Sequence, residues 1–583
     1  MVLLRPESYA RTQNQNSILV ASNTADERLK SYANYVCDGV ADDVQIQAAI
    51  DALPAGGGTV ELTYGTYNIT ASLVLDDNIN LVGSGWNSII SFTMNDGALE
   101  AFTKTKIIIR DMKIIGSGNP ADVLNTAIHF EDVTDSQVMN CWIEDAGYDA
   151  IQLLHGCYRC QIEENHILTP GDDGINIGGD AAPDTQFNTI TNNIIDTPGG
   201  TGIHLSDGSS YSTVTGNIVI SPGIYGIDTN QTGGTAKGHN TIDGNVIYSP
   251  TSYGIYIYAS ANNIVSNNII YGGTKGIYVT NINCIIQGNL VYDSSEEGIR
   301  ITDVGVNSTI SNNIIYDNTL DGILCDADYC SVQGNVIITA GGLGIKIQGD
   351  NSSVVGNIVK ESTGNAIQMN SSNSSISNNS LSSSAYGIFV QGGTNNTITG
   401  NMVTGGTRAI QINSADNLVI GNSIIGVTAI GIYPNGSARN SIIGNSIDGA
   451  LTGLKDFNGT DTFFSGNRVR NAGTLALELS AGTTTARIEN NDLTGTVTLL
   501  GTYTIHNNKG YVTENSGAEA AVADGGTIAH GCAATPTLAL VTGSVASEIV
   551  SVTALGAANI TVAIKTDAGA PGTNQTIYWR AEV

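Results

Sequence analysis

Short apolar segments recur along most of the chain, and each of them begins with an asparagine. Successive asparagines are mostly 21 to 24 residues apart. A fixed period of this length is typical of a solenoid built from repeated coils. The asparagines of this series are Asn140, Asn165, Asn193, Asn217, Asn245, Asn268, Asn289, Asn313, Asn335, Asn357, Asn379, Asn401, Asn422, Asn445, Asn467 and Asn491.

A second recurring segment lies between these asparagines and consists of a small residue followed by isoleucine. It runs from Ala150-Ile-Gln-Leu and Gly174-Ile-Asn-Ile to Ala409-Ile-Gln-Ile. Strands this short cannot bury an apolar face alone, but they can when coils stack on one another. The sequence therefore predicts an all-β, right-handed parallel β-helix with isoleucine and valine inside. The asparagines should form a ladder of hydrogen-bonded amides along one turn.

The two ends of the repeat differ from its middle. Residues 42–53 place apolar side chains on one helical face and are followed by Pro54, which predicts a capping helix. After Gly510 the repeat stops, and short alternating strands begin at Thr527. The predicted organisation is an N-terminal arm over 1–37, the β-helix with its cap over 38–510, a linker over 511–526 and a small antiparallel β-sandwich over 527–583.

Composition excludes several classes of protein. Glycine accounts for 70 of 583 residues and charged residues for 13%, which does not fit a coiled coil or a helical bundle. The net charge of −30 would repel nucleic acid and anionic membranes, and no apolar run approaches the ~20 residues of a membrane-spanning helix. Eight cysteines are too few for a disulfide scaffold, and Cys157 and Cys160 lack a second pair to complete a zinc site. We therefore expect neither nucleic acid nor membrane insertion, no bound metal and buried, inert cysteines.

One outward-facing column of the predicted sheet carries candidate chemistry. In a Gly-Ile-His-Leu segment the residue between the two apolar side chains points outward, which aligns one polar or aromatic residue per coil. His204 and Asp228 lie on neighbouring coils and should be about 5 Å apart. The column contains Gln152, Asn176, His204, Asp228, Tyr256, Tyr278 and Arg300, and its edges add Tyr148, Asp149, Asp172, Asp173 and Asp207.

Acidic, hydrogen-bonding and aromatic side chains in a row suit an extended glycan, whereas a solvent-facing column must be polar in any case and Asp-Gly is common in turns. Coil lengths favour the functional interpretation. The steps from Asn165 to Asn193 and from Asn217 to Asn245 are 28 residues, which adds loop to the coils of the candidate residues. Tyrosines at 248, 271, 292 and 316 form a second column, which we interpret as structural stacking, with a sugar-binding platform as the alternative.

The segment DGVADDVQIQAAIDALPAGGGTVELTYGTYNI over 38–69 resembles the opening of the pectate-lyase-like β-helix superfamily, which includes polygalacturonases, polysaccharide lyases, alginate epimerases and phage tailspikes. The resemblance implies this fold for about 36–510. By likeness to polygalacturonases, Asp149, Asp172 and Asp173 fit the carboxylate positions. Their histidine motif is not matched by His204, and their basic motif is missing, because the nearest Arg-Ile is Arg300-Ile301. The Asp-Pro-His of alginate epimerases is Gln152-Leu153-Leu154 here.

These observations support three functional hypotheses. The first hypothesis is that the chain is a tailspike-like depolymerase that cleaves an acidic or neutral polysaccharide and requires no cofactor. Asp173 or Asp149 would be the general acid, and Asp228, about 9 Å from Asp173, the base toward water, with His204 tuning them. A lyase or epimerase, for which Ca²⁺ is a candidate ion, is the alternative enzyme, and a glycan-binding adhesin or structural fibre is the non-catalytic alternative. We further expect an extracellular or virion-associated homotrimer aligned by the C-terminal domain.

Overall fold

The computed structural model describes residues 16–122, 124–179, 183–230, 237–383 and 385–583. It divides into two compact units, Met1–Gly341 and Gly342–Val583. Within the described residues two helices occur, α1 (Glu27–Tyr32) and α2 (Asp43–Asp51). Neither is long and apolar enough to cross a membrane.

The first unit is a right-handed parallel β-helix in which each coil adds one strand to each of three sheets, named A, B and C. Sheet A contains Ser17–Ala21, Tyr35–Val36, Gly58–Leu62, Ile79–Gly83, Ile108–Arg110, Gln137–Met139, Gln161–Glu163, Thr189–Thr191, Thr213–Thr215, Thr241–Asp243, Ile264–Ser266, Ile285–Gln287, Thr309–Ser311 and Ser331–Gln333. Sheet B contains Gly65–Ile69, Ser88–Phe92, Lys113–Ile115, Trp142–Glu144, His166–Leu168, Ile194–Asp196, Ile218–Ile220, Val246–Tyr248, Ile269–Tyr271, Leu290–Tyr292, Ile314–Tyr316 and Val336–Ile338. Sheet C contains Leu73–Val74, Leu99–Phe102, Ile128–Glu131, Ile151–Leu154, Ile175–Gly178, Ile203–Leu205, Ile227–Asn230, Tyr253–Tyr258, Lys275–Val279, Ile299–Ile301 and Ile323–Cys325.

The second unit begins with coils of the same kind. Its three parallel sheets contain Ser353–Val355, Ser375–Ser377, Thr397–Thr399, Leu418–Ile420, Ser441–Ile443, Phe463–Ser465, Ala486–Glu489 and Tyr503–His506; Ile358–Ser362, Ser380–Ser383, Met402–Thr404, Ser423–Ile425, Ser446–Asp448, Arg468–Arg470 and Asp492–Leu493; and Ile345–Ile347, Ile367–Asn370, Tyr386–Gly392, Arg408–Ile412, Ile430–Pro434, Thr452–Asp456, Leu475–Leu479 and Thr496–Leu499. The predicted parallel β-helix is thus confirmed.

The interior is filled by the apolar centre of each short strand. In one coil Ile162 of sheet A, Ile167 of sheet B and Ile177 of sheet C are all at most 1% exposed. Alternation along each strand places the flanking residues outside, so three small faces enclose a continuous aliphatic core. The eight cysteines are free, and all except Cys532 are buried.

The asparagine ladder lies along one turn in each unit. Asn193 Nδ2 donates to Asn217 Oδ1 at 2.9 Å and also to the backbone oxygen of Ile162. The same contact links Asn165 through to Asn335 in the first unit and Asn357 through to Asn508 in the second. The ladder therefore satisfies buried backbone groups that the turns would otherwise leave without partners.

The predicted first member of the ladder is wrong. Trp142 pairs with His166 across sheet B, so Cys141 rather than Asn140 stands beside Asn165. Cys141 N donates to Asn165 Oδ1, whereas Asn140 has a positive φ of 50° and donates its amide to Asp111. Asparagine favours such left-handed turn positions, so its presence here reflects the turn and not the ladder.

The described part of the predicted N-terminal arm belongs to the β-helix, so this boundary is corrected. Ser17–Ala21 pairs in parallel with Gly58–Leu62, because Ile18 and Val20 alternate inward and join the core. Helix α2 covers the end of the coil with the buried Ile46, Ala49 and Ile50, in agreement with the predicted cap. Residues 1–15 of the arm lie outside the described residues.

The predicted linker over 511–526 is also corrected. Glu514–Val522 is a strand that pairs antiparallel with Gln575–Glu582, which pairs in turn with Leu538–Gly543. A side chain at Gly517 would meet the ring of Trp579 at 3.2 Å, so the glycine lets this strand lie flat on that indole. A second sheet contains Thr527–Ala529, Asn559–Thr566 and Glu548–Leu555. Ile528, Val562 and Ile577 pack between the two sheets, as expected for a small antiparallel sandwich.

Candidate active site

The predicted column runs along sheet C of the first unit. Parallel pairing places Gln152, Asn176, His204 and Asp228 side by side on successive coils. The alignment continues through Tyr256 and Tyr278 to Arg300. The periodicity of the sequence therefore predicted the register of these residues.

The carboxyl groups of Asp149, Asp172 and Asp173 meet where two coils enter sheet C. One oxygen from each lies within 4.8 Å of the others. Asp149 is fully buried; its Oδ1 accepts from Asp173 N at 2.8 Å, and its Oδ2 accepts from the amides of Gln152 at 2.7 Å and Asn176 at 3.0 Å. Gln152 and Asn176 therefore orient Asp149.

Asp173, His204 and Asp228 form a line across three coils. Asp173 Oδ2 lies 2.8 Å from His204 Nδ1, and its Oδ1 accepts from Thr201 N at 2.7 Å. On the other side of the ring, His204 Nε2 lies 3.8 Å from Asp228 Oδ1, which agrees with the predicted proximity of this pair. One imidazole ring thus separates two carboxylates.

The charges of this line favour a protonated histidine at neutral pH. Burial disfavours the imidazolium, but Asp228 and Asp173 together raise the pKa of His204 to about 10. Burial raises the pKa of Asp228 to about 7 despite the nearby His204. At neutral pH His204 therefore carries a positive charge, which faces the carboxyl groups of Asp173 and Asp228.

Asp172 is the member of the carboxyl cluster that solvent reaches. It is half-buried, whereas Asp149 and Asp173 are buried. Burial and the charge of Asp173 raise the pKa of Asp172. A Cβ at Gly200 would lie 2.3 Å from Asp172 Oδ1, so only glycine on the next coil leaves room for this carboxyl group. Asp172 is thus the accessible carboxyl group of the cluster, and its pKa is raised.

The predicted role of Asp228 as a base toward water is contradicted by its burial. Its side chain is 2% exposed beneath His204, so water does not reach it from the surface of the sheet. Gln152 likewise does not project to solvent, since 8% of it is exposed. The prediction treated every second residue as exposed, but alternation along a strand sets only the face on which a side chain lies and not its exposure.

The remaining predicted binding residues lie apart from the carboxyl cluster. Tyr256 and Tyr278 stack on each other at 5.2 Å, which presents their edges rather than their faces to a ligand. Arg300 is paired with Glu297 and Asp326. Asp207 follows strand Ile203–Leu205, at the opposite end of the parallel strands from Asp173. Tyr148 does lie at the cluster, where burial and the nearby aspartates raise its pKa to about 12.

A Ca²⁺ ion at the carboxyl cluster stays a prediction, and the contacts of the cluster do not favour it. Ca²⁺ takes six to eight oxygen ligands. Both oxygens of Asp149 accept hydrogen bonds from protein donors, and those of Asp173 face Thr201 N and the His204 ring. The imidazolium of His204, whose Nδ1 lies 2.8 Å from Asp173 Oδ2, would also repel a cation.

Sequence reasoning missed the beginning of the sheet C column. His129 pairs with Gln152, and Glu100 pairs with His129 on the coil before. His204 is therefore not the column's only histidine among the described residues. The segment Ala127-Ile-His-Phe has the same pattern as Ala150-Ile-Gln-Leu and was a readable signal. Thr201, whose backbone fixes Asp173, carries no comparable signal.

Two family models match the chain. Residues 77–240 and 235–363 match the model described as right handed beta helix region. Residues 330–509 match the model described as periplasmic copper-binding protein (NosD). No curated protein sequence matches the chain.

Solved structures share the fold at low sequence identity. The N-terminal fragment of gene product 12 of bacteriophage Phi29 is 14% identical, with a TM-score of 0.50 over 77% of this chain and 91% of that one. ORF18 of Geobacillus virus E2 is 17% identical, with a TM-score of 0.35 over 55% of this chain; the match spans 58% of ORF18, less than two thirds of its length. The A-module of the Azotobacter vinelandii mannuronan C-5 epimerase AlgE6 is 19% identical, with a TM-score of 0.30 over 66% of this chain and 96% of that one.

Proposed function

We propose that this chain, a member of the pectate-lyase-like superfamily of right-handed parallel β-helix proteins, hydrolyses a polysaccharide at the Asp172–Asp173 pair. The observation that supports the proposal is the contrast between these two adjacent carboxyl groups. Asp172 is half-exposed with a raised pKa, whereas Asp173 is buried between Thr201 N and the charged His204. Two titratable groups whose environments push their pKa values apart are the usual sign of an acid and a base in one site.

In this mechanism Asp172 is the general acid. Its proton passes to the glycosidic oxygen as the bond to the anomeric carbon breaks. Asp173 is the base: it takes a proton from the water whose oxygen bonds to that carbon. Its side chain is 9% exposed, against 2% for Asp228. A carboxylate has about four lone-pair sites, and the contacts to Thr201 and His204 use two of them.

His204 and Asp228 are positioning residues in this proposal. His204 holds Asp173 in place, and Asp228 raises the pKa of His204. Asp149 has a related role, because its Oδ1 accepts from the backbone N–H of Asp173. These contacts reassign the acid from Asp173 or Asp149 to Asp172 and the base from Asp228 to Asp173.

The test is product analysis on a panel of polysaccharides, with new reducing ends and unsaturated products measured separately. Reducing ends without unsaturation are expected. Asp172→Asn and Asp173→Asn should each lower turnover by about 10²–10⁴-fold, since each removes one proton-transfer group.

Asp196→Asn is the matched control, because Asp196 ends strand Ile194–Asp196 of sheet B and lies away from the carboxyl cluster. It should retain full turnover. Unsaturated products would show a lyase reaction instead of hydrolysis. Activity that survives both cluster substitutions would show that the active site lies elsewhere. Binding without any product would favour the adhesin.

A further inference from the structure

A cavity of about 250 Å³ lies on the first unit beside the carboxyl cluster. The proposed hydrolysis does not involve this cavity. Its lining includes Asp96, Glu100, Phe102, Leu124, His129 and Tyr148. Binding sites for drug-sized ligands span about 300–1,000 Å³, so this volume suits a single ring.

The floor of the cavity is polar and its rim is apolar. Glu100 is 8% exposed and its Oε1 lies 3.7 Å from His129 Nδ1. The other ring nitrogen of His129, Nε2, is buried and has no hydrogen-bond partner among the described residues. Phe102 meets the His129 ring edge-on at 5.5 Å and is 40% exposed, and Leu124 is 59% exposed. Hydroxyl groups at the floor and a C–H face at the rim are the features of a sugar ring that match these walls.

The cavity shares a wall with the carboxyl cluster. Tyr148 and Gln152 line it, and the Gln152 amide donates to Asp149 Oδ2 at 2.7 Å. His129 and Gln152 are direct neighbours across sheet C. A glycan bound at Asp172 therefore has a ring-sized cavity next to it along the column.

The charge around the cavity selects among sugars. No lysine or arginine lines it, whereas Asp96 and Glu100 do. Lys104, two residues after Phe102, is paired with Asp76. From 114 to 236 the sequence contains a single lysine or arginine, Arg159, and both oxygens of Asp135 already accept from its guanidinium. A uronate or a sulfated sugar in the cavity would meet Asp96 and Glu100 with no lysine or arginine in its lining, and the charged His204 lies outside the lining between Asp173 and Asp228. This is a repulsive contribution to specificity.

We infer that this cavity binds one unit of the glycan that carries no negative charge. The inference rests on the proposed function, because the glycan is the chain cleaved at Asp172 and Asp173. It narrows the substrate from acidic or neutral polysaccharides to neutral or amino-substituted ones.

The experiment measures binding of the full chain to an array of defined oligosaccharides: neutral gluco-, manno- and xylo-oligosaccharides, chitosan oligomers, oligogalacturonates and oligomannuronates. The wild-type chain should bind members of the first two groups and neither uronate. Phe102→Ala should weaken that binding about tenfold through loss of the apolar rim. Leu124→Asp, at an exposed position, should weaken the binding of the neutral oligosaccharides similarly without removing buried packing.

Tyr248→Ala is the matched control, because Tyr248 is 49% exposed on sheet B of the same unit. It should bind as the wild type does. Unchanged binding by both rim variants would overturn the inference that the cavity binds a sugar unit. If hydrolysis still depends on Asp173, the proposed function stays intact. Preferred binding of uronates would overturn the charge assignment. A wild-type chain that binds no glycan on the array would overturn this inference, and the hydrolysis assay would then decide the proposed function separately.

Discussion

The charge of His204 depends on Asp228, and Asp228→Asn tests that dependence directly. The two side chains face each other at 3.8 Å, and His204 is 22% exposed. At an effective dielectric constant of about 20, a unit charge at this distance contributes ~4 kcal/mol. One pKa unit corresponds to about 1.36 kcal/mol, so the lost charge is equivalent to about three units. The pKa of His204 should therefore fall from about 10 to about 7.

The assay is an NMR titration of histidine-labelled protein, with the His204 signal assigned by its absence in His204→Gln. The pKa of Asp228 is about 7, so its negative charge is complete over the range in which wild-type His204 titrates. Asp196→Asn, on sheet B, should leave the His204 titration unchanged. A pKa that moves by less than one unit in Asp228→Asn would refute the assigned coupling.

Stability should follow the same charge. Folding raises the pKa of His204 from its ordinary value of 6.5, so the protonated ring contributes stability that is complete below about pH 6.5. That contribution disappears as pH rises toward about 10. The wild type should therefore lose more of its melting temperature between pH 7.5 and 9.5 than Asp228→Asn does. An equal loss in both proteins would contradict the linkage.

Two further outcomes are expected. Asn289→Ala should destabilise the chain by about 2–4 kcal/mol, because it removes donors to Asn313 Oδ1 and Val265 O and leaves buried acceptors unpaired, whereas the exposed Gln287→Ala should change thermal unfolding little. A 511–583 fragment should show cooperative unfolding and a 527–583 fragment should not, because only the longer one contains Glu514–Val522. Light scattering of the full chain and of 1–510 tests the expected homotrimer, and a monomeric full chain would contradict it.

The regular part of the fold could be predicted because each coil solves the same packing problem. Each coil needs an inward apolar side chain, such as Ile177, and an amide that hydrogen-bonds the backbone at the turn, such as that of Asn193. The same residue types therefore recur at a fixed period. The period also gives the register of sheet C, which brings His204 beside Asp228. Burial does not follow from period alone. Asp228 occupies an outward position, yet the His204 ring on the coil before it lies against its carboxylate and solvent does not reach it.

The irregular coils mark where sequence reasoning fails. Before Asn165 the ladder position is taken by Cys141, whose backbone N–H still donates to Asn165 Oδ1 although no amide stands there. The period of the asparagines therefore does not reveal the earlier strands Leu99–Phe102 and Ile128–Glu131. Those strands hold Glu100 and His129, whose side chains line the cavity beside the carboxyl cluster. Stacking requires only that the turn's hydrogen bonds be met, and a coil that meets them without asparagine is free to carry other chemistry on its outer face.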